Sequence, residues 1–188
     1  RDLGWKSMAV NLSDVGSMGA RSVMSLVTLG LTGDESVSDL EELYRGIADI
    51  TGEFGGAVAG GDIVSSPVLF ITVAMTGEAV ATNGGAAFNR ARLMAGSMTG
   101  TTAGAGYPTA ASQLKFDPGS KADPGGAALL RRDAVAVNDL IAVTGTIGDS
   151  GGGVRALAEG LSGEASDALK RAHFRPIPRM AAGIGLVT

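Results

Sequence analysis

The chain has 188 residues, enough for one good-sized domain or two small ones, with 45% hydrophobic and 4% aromatic side chains and 30 glycines. Its net charge of −4 argues against a broad nucleic-acid surface, and the lack of cysteine excludes disulfides and thiolate metal sites. No apolar run reaches the roughly 20 residues that span a bilayer, and no signal-peptide pattern is present, so a soluble cytoplasmic protein without membrane association is expected.

From Trp5 to Gly19 the apolar residues Trp5, Met8, Leu12 and Val15 recur at spacings of three and four, which predicts a helix. Asn11 and Asp14 share a more polar face of it. Ser22 to Leu31 reads as a strand, and Thr32-Gly33-Asp34 as a turn. Ser38 with Glu41 fits a capping box, and Leu40, Leu43, Tyr44, Ile47 and Ile50 form a second helical stripe that ends near Gly52 to Gly56. A short apolar run, Ala57-Val58-Ala59, leads into Gly60-Gly61-Asp62, and Pro67 opens a strand whose Val68 to Met75 segment is rich in β-branched residues. This order predicts an α/β or α+β layer.

Thr82 to Gly126 is dominated by Gly, Ala, Ser and Thr, with Pro108, Pro118 and Pro124, and reads as a low-complexity surface insertion. Order is expected to resume at Leu129, with a buried strand over Asp139 to Val143. Helices are expected over Val154 to Leu161 and from about Glu164 to His173, with a last helical start at Arg179 after Pro176 and Pro178. The domain reading is therefore 1–81, an insertion over 82–126, and the start of a second α/β domain over 127–188. The chain opens without methionine and closes on an apolar stretch, so a piece of a longer protein is expected.

Two carboxylates stand out. Asp14 in Asn11-Leu12-Ser13-Asp14 and Asp62 after Gly60-Gly61 lie at the edges of apolar segments, one helix–strand unit apart. Such a pair suits a hard cation shared with phosphate oxygens. Taken singly, Asp14 reads equally as a solvated helix face, and Gly-Gly-Asp as a strand-to-strand turn. The glycines would also let a ligand approach the backbone closely. The loop from Gly145 to Gly153 lies between a strand and a helix, where anions bind, yet it lacks the Walker lysine and the dinucleotide glycine spacing. A tight turn is the better reading. Arg131 and Arg132 suit either phosphate oxygens or solvent. His173 is the only histidine and no G-x-S-x-G elbow is present, so a structural role beside the proline-fixed turn is expected.

Five runs in this order resemble the thiamine-monophosphate kinase family, within the ATP-binding superfamily of aminoimidazole ribonucleotide and selenophosphate synthetases. They are Leu3 to Asp14 followed by Met18-Gly19-Ala20; Gly60-Gly61-Asp62; Thr76-Gly77-Glu78; Asp139 to Ser150; and His173 to Arg179. The resemblance implies a two-domain α/β fold and a Mg²⁺-dependent phosphoryl transfer from ATP to thiamine monophosphate, giving thiamine diphosphate. It also implies a homodimer through the N-terminal domain. By similarity, Asp14 and Asp62 would be magnesium ligands, and Tyr44, Gly61, Asp62 and Arg132 would bind ATP. No catalytic residue is assigned.

The chain departs from the pattern in three ways. Ser65 stands where the family carries an arginine, and the stretch between Glu78 and Arg132 is longer than the family's. The family's upstream aspartates and downstream Asp-x-Ser-Asp-Gly run are absent, so about half of the metal shell is expected here. Two alternatives accompany this reading: a related selenophosphate or purine-pathway synthetase, and a non-catalytic nucleotide-binding dimerisation domain.

Overall fold

A computed structural model of the chain describes residues 1–80, 92–95, 129–130, 137–138 and 143–187. The first helix, α1, spans Asp2–Ser17 and ends at Met18, where Gly19 turns the chain with a φ of 72°. Strand β1 follows at Ala20–Leu31, then helix α2 at Val37–Phe54 and strand β2 at Ala57–Ser65. Strand β3 covers Phe70–Ala79, and β4 covers Arg92–Ala95.

The four strands form one sheet in the order β2-β1-β3-β4. Strands β1 and β2 are parallel, and the α2 crossover between them supplies the length that parallel pairing needs. The other two pairings are antiparallel. Alternation along β1 buries Ser25, Val27 and Leu29 while leaving Val23 and Leu26 exposed. Val27 pairs with Val73 and Ser25 with Met75, so the buried faces of β1 and β3 coincide. Against that face α1 lays Met8, Leu12 and Val15, and α2 completes the core with Leu43, Ile47 and Ile50. Each such side chain contributes about 1.5–3 kcal/mol on burial.

Close approach of the helices depends on two glycines. A Cβ on Gly4 would overlap the Leu43 carbonyl, and one on Gly46 would overlap the Arg1 carbonyl. The turn from β1 to α2 is held by Glu35, whose carboxylate accepts the Thr32 and Gly33 amides at 3.1 and 3.0 Å. These bonds, led by the one from Thr32, hold its pKa below the usual carboxylate value.

Three expectations are corrected. The cap of α2 is Ser36, whose side chain accepts the Asp39 amide at 3.1 Å, rather than Ser38. Gly60-Gly61-Asp62 is not a turn after a strand. It lies inside β2, because pairing with β1 continues in register from Leu26 opposite Gly60 to Leu31 opposite Ser65. The next strand begins at Phe70 rather than Pro67, since Ser66 to Leu69 makes the connection. Within the expected insertion, Arg92–Ala95 adds a strand beside β3. Of the strand expected over Asp139 to Val143, only Val143 falls within the described residues.

Helices α3 (Asp149–Ala158), α4 (Glu164–Phe174) and α5 (Met180–Gly185) follow. They match the three expected helical segments, with α3 starting five residues before Val154. Met180 of α5 is buried against Gly16 of α1. No helix among the described residues is long and apolar enough to cross a membrane.

Candidate nucleotide and metal site

β2 is the edge of the sheet, and all nine of its residues are exposed, which is unusual for a strand with so many apolar residues. Beside it an open groove of about 500 Å³ is lined by Tyr44 from α2 and by Val58, Ala59, Gly60, Gly61, Asp62 and Ile63 from β2. The structure thus brings together Tyr44, Gly61 and Asp62, three of the residues singled out in the sequence.

Each is positioned for a physical reason. Leu43 and Ile47 turn one face of α2 into the core, which leaves Tyr44 on the flank, 38% exposed. Gly61 pairs with Val27, and a Cβ there would overlap the Val27 carbonyl, so only glycine lets the strand lie this close. Asp62 pairs with Thr28, and its Oδ1 accepts the Ile63 amide at 2.9 Å. That bond orients the carboxylate on a rigid strand while the side chain stays open to solvent.

Asp14 is half-buried on α1 and is not among the residues lining the groove. Its backbone carbonyl accepts the Ser17 hydroxyl at 2.8 Å. One turn earlier, Asn11 is buried, donating Nδ2 to the Ser7 carbonyl at 2.8 Å. Arg132 lies outside the described residues. Among the described residues, no group of three or more His, Cys, Asp or Glu side chains is close enough to enclose a metal ion. The donors are oxygen and sparse, which fits a cation that keeps water and takes phosphate oxygens as ligands, as Mg²⁺ does. They do not fit a dedicated all-protein cage.

The sequence reading missed how the tail of α4 docks. Arg175 reaches Asp2 and Asp49, and Trp5 donates to the Pro176 carbonyl at 3.0 Å. The run of His173 to Arg179 marked the segment, but nothing in its spacing named the partners on α1 and α2.

Comparisons with known proteins give this geometry a context. Residues 1–79 match the family of AIR synthase related proteins, N-terminal domain. Thiamine-monophosphate kinase of Methanopyrus kandleri (strain AV19) is 30% identical over 188 residues, covering 99% of this chain and 44% of that protein. The chain is homologous to the thiamine-monophosphate kinases. The solved structure of the kinase from Stenotrophomonas maltophilia K279a matches at a TM-score of 0.65 and 26% identity, over 98% of this chain and 46% of that one. AaThiL complexed with AMPPCP and TMP shares the fold at a TM-score of 0.71 and 24% identity, over 100% of this chain and 46% of that one. The chain therefore spans less than half the length of these relatives. The mixed α/β architecture expected from the sequence is theirs.

Proposed function

We propose that the chain serves ATP-dependent phosphorylation of thiamine monophosphate to thiamine diphosphate, with Mg²⁺ as the cation. The observation that carries this reading is the groove at β2, which sets Asp62, Gly61 and Tyr44 together in a chain homologous to these kinases. In this reading residues 1–81 belong to the nucleotide and metal domain, and residues 127–188 begin the second domain. Residues 82–126 are an insertion whose strand β4 extends the sheet of the first domain.

The chemistry asks little covalent work of the protein. Phosphoryl transfer is achieved by positioning the two substrates and neutralising charge on the phosphates. When bound, Mg²⁺ supplies the Lewis acid that draws charge from the transferring group. Asp62 would hold that cation from the rigid edge strand, and by similarity to the family Asp14, which lies outside the residues lining the groove, would add a second carboxylate from α1. Gly61 would present its backbone to the phosphate oxygens from the floor of the groove, and Tyr44 would form a wall against which the nucleotide lies. Arg132 adds positive charge on the phosphates. Ser65, the last residue of β2, supplies no charge where the family has an arginine, so either one phosphate contact is lost or another group, such as Arg132, supplies it.

The reading includes a homodimer formed through the first domain. The face of the sheet away from α1 exposes Val23 and Leu26 of β1, at 48% and 47%, and a second copy would cover them. The test is product formation. The full-length protein, supplied with ATP, Mg²⁺ and thiamine monophosphate, is expected to yield ADP and thiamine diphosphate in equal amounts, whereas residues 1–188 alone, with about half of the expected metal shell, are not expected to turn over. Asp62→Asn is expected to lower turnover about 100-fold or more, since loss of a group that merely orients a metal ligand already costs about 10–100-fold. Folded full-length protein that makes no thiamine diphosphate, or a full-length Asp62→Asn variant with full activity, would contradict the reading.

A further inference from the structure

His173, the chain's only histidine, stands at the end of α4 between two other helices. Its Nε2 lies 2.9 Å from Nζ of Lys6 on α1, and its Nδ1 lies 3.1 Å from Oγ of Ser150 on α3. Lys6 Nζ is also 3.3 Å from Nδ1. An ammonium only donates, so the ring nitrogen that it bonds must offer a lone pair, and the shorter of the two contacts assigns that role to Nε2. Nδ1 then carries the ring proton and donates it to the Ser150 hydroxyl. One neutral tautomer satisfies both neighbours, whereas a second proton on the ring turns an N–H toward the Lys6 ammonium.

The residues that follow His173 continue the attachment. Arg175 Nε is 3.1 Å from Asp2 on α1, its Nη2 is 3.4 Å from Asp49 on α2, and its guanidinium lies 4.7 Å from the centre of the Trp5 ring. With the bond from Trp5 to the Pro176 carbonyl, residues 173–176 strap α4 to α1 and α2.

We propose that His173 is a protonation-sensitive clasp: as the neutral Nδ1–H tautomer it fastens α3 and α4 to α1, and its protonation loosens the 173–176 strap. The surrounding charges favour this. Among the described residues, Lys6 is the charged group within reach of the ring. Ser150 on α3 is neutral, and the neighbouring Asp149 takes the Thr146 hydroxyl at 2.7 Å. Asp2 and Asp49 are engaged by Arg175 and Arg1. On α4 itself Lys170 is turned away to the Leu161 carbonyl. Burial, and then Lys6, hold the imidazole below its ordinary value of 6.5. The folded state therefore prefers the neutral ring. Docking is complete above pH 6.5 and is lost progressively as pH falls below that value toward the depressed folded-state pKa.

The device is independent of the groove at β2, and so is its test. A single histidine gives one imidazole Cε1–H resonance, and Trp5, the only tryptophan, reports on the strap by its fluorescence. In the unaltered protein the ring is expected to titrate below pH 6.5, with Trp5 emission shifting to the red over the same range. His173→Gln keeps an acceptor for Lys6 but cannot titrate, and should abolish that shift. Lys6→Met removes the opposing charge and should move the ring midpoint upward. A Trp5 shift that persists in folded His173→Gln protein, or a ring midpoint unmoved in Lys6→Met, overturns the proposal. If His173→Gln does not fold by circular dichroism at pH 7.5, the Lys6→Met midpoint decides alone.

Discussion

The two candidate metal carboxylates differ in what surrounds them. Asp62 is exposed on an edge strand, with one oxygen tied to the next amide, whereas Asp14 is half-buried on α1. Replacing Asp62 by asparagine removes charge without removing packing. Its effect on folding should stay within about 0.5 kcal/mol, as for most exposed substitutions, while turnover falls. Thermal unfolding beside activity separates the two effects. Tyr44→Ala is the complementary change, since it removes one wall of the groove. It is expected to weaken nucleotide binding by about 1 kcal/mol, roughly fivefold, with little change in the chemical step. A raised KM for ATP at unchanged kcat is the expected signature. Lower turnover at unchanged KM would instead place Tyr44 in contact with the transferring group.

Among the elements, helices were easier to read from sequence than strand limits. Met8, Leu12 and Val15, and likewise Leu43, Ile47 and Ile50, fall on single helical faces that the core then buries. Gly60-Gly61 looked like a turn because glycine is normally a breaker, and no local signal reveals a parallel neighbour strand. That pairing is a tertiary fact: the register shifts once at Ala59, and β1 then carries β2 on through Gly60 and Gly61. The displaced cap has a similar origin. Ser36 and Ser38 are both plausible caps by residue type, and the Glu35-clamped turn decides between them by fixing where the chain enters α2. Ser36→Ala should cost about 1 kcal/mol and Ser38→Ala much less, measured by urea unfolding. Gly46→Ala should cost about 1–3 kcal/mol or more despite alanine's better helix propensity, because its Cβ meets the Arg1 backbone. A stabilised Gly46→Ala variant would mean that α1 and α2 are not packed this closely.

At the scale of the whole molecule, the sequence carried the order of elements and three of the groove residues, but not how the groove forms. Tyr44 and Asp62 come to one groove only because the crossover helix and the edge strand both border it. The contacts of Lys6, Trp5 and Asp49 with residues 173–176 join positions more than a hundred residues apart, which no periodicity records. Acid should act on the molecule in two separate windows. His173 responds below pH 6.5, whereas Asp49, its pKa lowered chiefly by its hydrogen bond from Arg1, loses its contribution only as pH falls below about 3.8. The central claim is that the groove at β2 holds nucleotide through a cation. It is tested most directly by equilibrium binding of a non-hydrolysable ATP analogue, with and without Mg²⁺, to unaltered and Asp62→Asn protein. The account predicts binding that depends on Mg²⁺ and weakens about tenfold or more in Asp62→Asn, a loss of about 1.4 kcal/mol. Equal affinity for both proteins, or binding indifferent to Mg²⁺, would contradict it.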